Sequence, residues 1–246
     1  MSFKDKVVVI TGGSRGMGKA MAEAFAAEGA SLVIASRKLD NCVELAERLR
    51  AEFGVSAMPI GCNVSDWGQC TALVDAVYAE HGKIDVLINN AGLSPLYPSL
   101  AEVSEDYFDK VIGVNLKGPF RLSAITGQRM ADGSGGAIIN VGSIEAIRPN
   151  PHSLPYAAAK AGLHILTEGF AHAYGPTVTV NTIQCGPFLT DISEAWTAEM
   201  REGFDKSLAL QRCGRPDEVV GAAPYFASDA SPFCTGAVLR VDGGVP

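Results

Sequence analysis

The sequence lacks several features that mark particular protein classes. It has six cysteines but no Cys-x-x-Cys pair and no histidines at metal-ligand spacing, so we expect reduced thiols and no metal site. Its apolar runs stay far below the ~18 residues that mark a membrane-spanning helix. The first residues, MSFKDK, lead directly into the apolar run VVVI without a signal-peptide pattern. These absences together predict a cytoplasmic protein.

Positive charge is also scarce. The chain has 20 Lys and Arg against 27 Asp and Glu, which gives a formal net charge of −7 and a pI near 5.1. This balance argues against a nucleic-acid or anionic membrane partner. Any bound polyanion must therefore be held by a local cluster of basic side chains.

Short apolar runs alternate with segments of helical period along the whole chain. The runs predict seven strands, at 7–11, 31–36, 55–61, 84–89, 136–142, 177–183 and within 236–244. Strict alternation with helices, and strands apolar on both faces, indicate an α/β protein with a doubly wound parallel sheet of Rossmann type and helices on both faces. Pro59 cannot donate to a ladder, so the third strand should lie at an edge. No repeat or linker interrupts the pattern, which predicts one domain over 1–246.

The intervening segments predict the helices. The first has Met17 and Phe25 on its apolar face and Gly29 after its end. Further helices are expected before Gly54, over 66–81, as a pair within 104–131, over 155–174 and over 216–228.

A glycine-rich segment, TGGSRGMG at 11–18, lies between the first strand and the first helix. In that position glycines let the backbone turn tightly and approach a pyrophosphate, which rests on the helix N-terminus. The spacing Gly12, Gly16, Gly18 differs from the usual GxGxxG, and the third glycine could serve only helix packing. The flanking strand and helix favour nucleotide binding.

The end of the second strand bears on which dinucleotide is bound. An NAD site places an acid there for the ribose 2′-hydroxyl, but the chain reads Ala35-Ser36-Arg37-Lys38. Arg37 could meet a 2′-phosphate, and Arg15 could reach it from the glycine loop. Each such charge-assisted contact contributes ~1.5–3 kcal/mol. We therefore favour NADP over NAD, with NAD as the alternative.

Tyr156 and Lys160 are candidates for acid/base chemistry. Four residues apart in the run YAAAK, they share one face of a predicted helix. A free phenol has a pKa near ~10, and a fixed ammonium should lower it, with an oxidised nicotinamide ring adding to the effect. Such a pair is also common on ordinary helices, so its interpretation depends on the rest of the chain.

Taken together, these motifs resemble those of the short-chain dehydrogenase/reductase family in its single-domain branch. The resemblance covers nearly the whole chain through TGGSRGMG at 11–18, NNAG at 89–92, Asn115, Ser143 and Tyr156-x-x-x-Lys160. It implies seven strands in order 3-2-1-4-5-6-7 and a homotetramer. It also implies a catalytic set of four residues, namely Asn115, Ser143, Tyr156 and Lys160.

In this set, Tyr156 would exchange a proton with the carbonyl or alcohol oxygen and Ser143 would hydrogen-bond that oxygen. Lys160 would lower the Tyr156 pKa and hold the nicotinamide ribose, and Asn115 would position a proton-relaying water. The expected cofactor-binding residues are Gly12, Ser14, Arg15, Gly16, Met17, Gly18, Ser36, Arg37, Lys38, Asn63, Val64, Asn89, Ala91, Gly92, Tyr156, Lys160, Gly186 and Thr190.

Two positions depart from the family pattern. Asn63 stands where an Asp commonly touches the adenine, and Cys185-Gly186-Pro187 replaces a Pro-Gly beside the nicotinamide. Cys185 is either a reactive thiol or a small buried filler.

The segment 187–212 has no clean period but carries several large apolar residues. Beyond the carboxyl ends of the strands, it could close as a lid over an apolar substrate or pack as an ordinary helix. The candidate substrate residues are Ser143, Tyr156, Glu145, Leu93, Phe188 and Trp196.

We therefore predict an enzyme, an NADP(H)-dependent oxidoreductase acting on a ketone or secondary alcohol. The alternative is a catalytically silent dinucleotide-binding sensor or assembly subunit.

Overall fold

A seven-stranded parallel sheet forms the centre of the fold. The computed structural model describes residues 1–246, except for the side chains at positions 192 and 195. The strand order is β3-β2-β1-β4-β5-β6-β7, and every pairing is parallel, as predicted. The strands are β1 Val7–Thr11, β2 Ser31–Ser36, β3 Ala57–Gly61, β4 Val86–Asn89, β5 Gly136–Ser143, β6 Val178–Cys185 and β7 Val238–Val241.

Both faces of the central strands are covered by apolar side chains. Val8 and Ile10 of β1 pack into one buried cluster, whereas Val7 and Val9 pack into another. Successive side chains of a strand point to opposite faces, so one apolar run supplies both cores. The edge position predicted for the third strand is confirmed, since β3 pairs only with β2 and places Pro59 beside Ile34.

Eight α-helices surround the sheet in the described part of the chain. Local sequence fixes several ends: Asp66 caps α3 by accepting a hydrogen bond from the Gln69 amide, and Gly82 ends it with φ of 71°. The helices are α1 Gly16–Ala27, α2 Leu39–Phe53, α3 Trp67–His81, α4 Glu105–Ile112, α5 Gly118–Ala131, α6 Leu154–Tyr174, α7 Ala198–Ser207 and α8 Ala222–Ala227.

Two segments differ from the sequence expectation. The helix expected over 216–228 is divided into a short 3₁₀ turn, Pro216–Val219, and α8. Pro224 has no amide hydrogen and its ring clashes with the preceding turn, so it is tolerated only near the start of a new helix. Between α4 and α5 the chain forms a π-helical turn, Gly113–Lys117, which contains Asn115.

No helix in the described residues is both long and apolar enough to cross a membrane.

Candidate active site

A cavity of about 800 Å³ lies at the carboxyl ends of the strands. In open parallel sheets this is where ligands bind, because the strand order reverses there. Most residues expected to bind cofactor or substrate line it: Gly12, Ser14, Arg15, Gly16, Met17, Ser36, Arg37, Lys38, Asn63, Val64, Ala91, Gly92, Leu93, Ser143, Glu145, Tyr156, Lys160, Gly186, Phe188, Thr190 and Trp196.

The glycine loop forms one end of this cavity with a backbone that side chains would obstruct. Gly12 has φ of 61°, and a Cβ there would lie 2.9 Å from the Ala91 Cα atom. Helix α1 begins at Gly16, and its N-cap residue Arg15 makes no side-chain hydrogen bond to the first turn. The amide groups of that turn are therefore available to an anion, which fits a dinucleotide pyrophosphate.

Two residues expected to bind the cofactor, Gly18 and Asn89, do not line the cavity. Gly18 does not line the cavity: a Cβ there would lie 2.3 Å from the Gly12 carbonyl oxygen, so this glycine permits close packing within the loop. Asn89 is buried behind the cavity and donates to the Ser123 hydroxyl and the Asn140 side-chain oxygen, both at 2.9 Å.

Asn90, which the sequence reasoning missed, takes the place expected for Asn89. Its side-chain amide donates to the carbonyl oxygens of Thr11 at 2.9 Å and Gly12 at 3.1 Å, and the residue lines the cavity. It ties the end of β4 to the glycine loop. The motif NNAG offers both asparagines, and the end of the strand decides which one faces the cavity.

The end of β2 presents basic and hydroxyl groups to the cavity. The Ser14 and Ser36 hydroxyls are 3.1 Å apart, and Arg37 and Lys38 are exposed beside them. Arg15 is less available than expected, since its guanidinium pairs with the Asp191 carboxylate at 2.6 Å. Arg37 is thus the better placed of the two arginines for a 2′-phosphate.

Tyr156 and Lys160 lie together on the cavity wall, on the first two turns of α6. The Lys160 ammonium is 5.6 Å from the centre of the Tyr156 ring and donates to the Val141 carbonyl oxygen at 2.7 Å. Ser143, at the end of β5, accepts a hydrogen bond from the Glu145 amide at 3.2 Å. A hydroxyl, a phenol and an amine therefore converge at one point of the cavity.

The pKa expected for Tyr156 is the opposite of what the structure gives. Burial raises the pKa of Tyr156 above its usual value, and the neighbouring Glu145 carboxylate acts in the same direction, while hydrogen bonding with Ser143 opposes both. Burial also lowers the pKa of Lys160 to about 8. Desolvation by burial is the largest cause of both shifts, and the lowering of the Tyr156 pKa by Lys160 that the spacing suggested does not appear.

Asn115 lies behind the cavity wall rather than on it. Its side-chain amide donates to the carbonyl oxygens of Leu93 at 2.8 Å and Val111 at 2.9 Å, and its oxygen accepts from the Leu93 amide at 3.3 Å. A Cβ on Gly92 would lie 3.1 Å from the Asn115 oxygen and 3.9 Å from the Lys160 nitrogen. Asn115 therefore holds the loop after β4 against α4, beside Lys160.

The substrate end of the cavity is mostly apolar and is covered by α7 and the turn before it. The Trp196 and Phe204 rings are 4.8 Å apart, and the Thr197 hydroxyl caps α7 by accepting from the Met200 amide. Met200 and Phe204, two of the apolar residues of the predicted lid, line the cavity, as do Ser94, Ile144, Asn150, Ser153 and Leu208, which the sequence did not single out. The lack of a clean period in 187–212 left Leu208 unassigned, and the other four residues lie in connecting segments that carry no local signal.

Cys185 lines the cavity but its thiol is buried. Burial raises the pKa of Cys185 to about 12, and the charge of Lys160 opposes this only in part. A thiol that stays protonated is a poor nucleophile, which favours the filler interpretation.

Known proteins resemble this chain over nearly its whole length. Residues 12–246 match a family model described as enoyl-(acyl carrier protein) reductase. The chain is 36% identical to 3-oxoacyl-[acyl-carrier-protein] reductase FabG of Thermotoga maritima, over 100% of this chain and 99% of the relative. A short-chain type dehydrogenase/reductase of Mycobacterium marinum superposes with a TM-score of 0.93 at 30% identity, covering 98% of this chain and 96% of that one. The chain belongs to the short-chain dehydrogenase/reductase family.

Other family members differ in what their names say they act on. An L-rhamnose 1-dehydrogenase (NAD(P)(+)) of Azotobacter vinelandii is 36% identical over 100% of this chain and 98% of the relative. A gluconate 5-dehydrogenase of Burkholderia cenocepacia, solved with NADP and tartrate, has a TM-score of 0.93 at 32% identity, with 98% and 95% covered. The family consists of oxidoreductases that bind NAD(P), and this chain has their fold over nearly its whole length.

Proposed function

We propose that this protein is an NADP(H)-dependent oxidoreductase that interconverts a ketone and a secondary alcohol, with Tyr156 as general acid/base. The observation that carries the proposal is the convergence of the Ser143 hydroxyl, the Tyr156 phenol and the Lys160 ammonium on one cavity that begins at the glycine loop. A nicotinamide dinucleotide, when bound, supplies or accepts the hydride.

The residues of the chain supply binding and proton transfer. The loop of Gly12 and Gly16 and the free amides of α1 hold the pyrophosphate, and Lys160 is available to the nicotinamide ribose. Ser143 hydrogen-bonds the substrate oxygen and fixes the reacting carbon. Tyr156 gives its proton to that oxygen in reduction and takes it back in oxidation.

The test is a panel of ketones, with consumption of NADPH followed by its absorbance and NADH run alongside. Reduction of at least one ketone is the expected result. A panel without any turnover, in either direction and with either cofactor, would favour the silent binding protein.

The preference for NADP(H) rests on Arg37, Lys38 and the missing acid at the end of β2. Arg37→Ala should weaken NADPH binding by roughly tenfold to a hundredfold and NADH binding hardly at all, because only NADPH carries the 2′-phosphate. Calorimetric titration with both cofactors measures this.

Arg129→Ala is the matched control for Arg37→Ala. It removes one positive charge from α5, where Arg129 pairs with Asp75 away from the cavity. Neither cofactor should bind it differently. Equal losses for the two cofactors in Arg37→Ala would instead favour NAD.

We also propose that residues 1–246 act as one domain and that 187–212 is its substrate lid. Asp191 and Trp196 line the cavity, and α7 carries no buried residue among its described side chains, which supports a loosely held cover. Oxidised cofactor together with a ketone should slow tryptic cleavage at Arg201 and Lys206 of α7. Mass spectrometry measures cleavage, with the exposed Lys110 on α4 as an internal control. Unchanged cleavage on α7 would argue for a fixed helix.

We also propose that the protein forms a homotetramer in the cytoplasm. Exposed apolar side chains on α4, α5 and α6, such as Phe108, Phe120 and Ile165, support contacts between copies of the chain.

A further inference from the structure

Glu145 places a carboxylate in the substrate end of a mostly apolar cavity. Its side chain accepts a hydrogen bond from the Ser153 hydroxyl, and Ser153 is itself buried, with 3% of its surface exposed. Glu145 and Ser153 both line the cavity with Tyr156. Ser153 therefore restrains the carboxyl, and the Glu145 charge acts on the neighbouring Tyr156.

Protein groups leave most of this carboxylate without a partner. Among the described residues, the Ser153 hydroxyl is the hydrogen-bond partner of its side chain, and no Lys, Arg or His forms an ion pair with it. Arg148, the nearest arginine in sequence, donates instead to the carbonyl oxygens of Pro246 and Ile147, both at 3.2 Å. A carboxylate has about four acceptor sites, so this one has capacity for a ligand.

The unfavourable burial of the Glu145 carboxylate indicates what kind of group it binds. Burial raises the pKa of Glu145, since a charge in an apolar site loses hydration that the Ser153 bond restores only in part. The neighbouring Tyr156 phenol is held protonated and gives its proton to the substrate oxygen in the proposed reaction. The group left to pair with the Glu145 carboxylate is therefore a hydrogen-bond donor or a cation on the substrate.

We infer that Glu145 is a specificity-determining residue that binds a hydrogen-bond donor, an ammonium or a hydroxyl, carried by the substrate beside its reacting carbon. The inference rests on the proposed function for the reaction that the substrate undergoes. The binding of a donor group to Glu145 does not depend on that reaction. It predicts amino ketones or hydroxy ketones, and the corresponding alcohols, over plain ketones of the same shape. A carboxylate or phosphate at the same place on the substrate would be repelled.

Matched ketones test the inference in the wild-type enzyme. Dimethylaminoacetone and isobutyl methyl ketone have the same shape, but only the first becomes a cation; hydroxyacetone and butanone form the hydroxyl pair. We expect at least one donor-bearing ketone to be favoured in kcat/KM by roughly tenfold to a hundredfold over its partner. The pair that shows this preference identifies the donor. Equal values within both pairs would overturn the inference.

Glu145→Gln tests whether the substrate preference depends on the charge of Glu145. The amide keeps the shape but loses the charge, so the ratio of kcat/KM between dimethylaminoacetone and isobutyl methyl ketone should fall to near unity, chiefly through KM. For a hydroxyl donor, Glu145→Leu should remove the preference for hydroxyacetone. Ser153→Ala, which frees the carboxyl to rotate, should reduce either preference in part. A preference that survives both substitutions at Glu145 would assign it to another residue and overturn the inference.

A binding measurement separates this inference from the proposed function. With oxidised cofactor present a ketone cannot be reduced, and calorimetry then measures binding alone. Preferential binding of the donor-bearing ketone, lost on substitution of Glu145, supports the inference even if the reaction assignment fails. Turnover of plain ketones without any such preference supports the reaction and overturns the inference.

Discussion

Replacing Tyr156 with Phe is expected to lower turnover by about two to four orders of magnitude while cofactor affinity stays near the wild-type value. The substitution removes one oxygen atom, keeps the aromatic ring beside Lys160 and leaves helix α6 intact. Without the phenol the substrate oxygen loses its proposed proton donor, while the Ser143 hydroxyl still hydrogen-bonds that oxygen and the Lys160 ammonium stays bonded to the Val141 carbonyl oxygen. Single-turnover kinetics and calorimetric titration measure the two quantities separately.

Tyr174→Phe is the matched control, because it makes the same change at the other end of the same helix. The Tyr174 hydroxyl donates to the Ala124 carbonyl oxygen at 2.9 Å, outside the cavity. Its loss should reduce the free energy of unfolding by about 1 kcal/mol without changing turnover. Wild-type turnover in Tyr156→Phe, or an equal loss in both variants, would remove Tyr156 from the mechanism.

The strands of the sheet could be predicted because the signals for them are local in the sequence. Apolar runs broken by helical segments fix the number of strands, and Pro59 alone indicates that β3 lies at an edge. The order of the remaining strands came from the family resemblance, since alternation does not by itself say which strands are neighbours. Pro224 is a local signal of the same kind, and it marks the break that divides the segment 216–228.

Details of the site could not be predicted where they depend on which way a side chain faces or on a partner far along the chain. Asn89 and Asn90 have the same chemistry, and the point at which β4 ends decides that only Asn90 meets the glycine loop. The pairing of Arg15 with Asp191 joins the loop to the segment before α7, a contact that neither local sequence contains. The raised pKa of Tyr156 likewise depends on burial by the completed fold, which spacing along a helix does not reveal.

Gly18 is the residue whose substitution tests the glycine loop most directly. A Cβ at this position would lie 2.3 Å from the Gly12 carbonyl oxygen and 2.6 Å from the Asn90 side-chain nitrogen. Gly18→Ala should therefore displace the loop from its bond to Asn90, weaken cofactor binding by tenfold or more, and lower the free energy of unfolding by ~1–3 kcal/mol as overpacking does. Calorimetric titration and thermal unfolding measure both effects.

Gly169→Ala supplies the control for this last prediction. Gly169 lies on the exposed side of α6, where an added Cβ meets nothing within 4 Å, so alanine should stabilise the helix by roughly 0.5–1 kcal/mol and leave cofactor affinity unchanged. Both variants add the same methyl group to a helical glycine. A difference in sign between them would isolate the contact with the Gly12 carbonyl, whereas wild-type affinity and stability in Gly18→Ala would mean that the loop yields without cost. In that case the close approach of α1 to the loop could not be what shapes the pyrophosphate site.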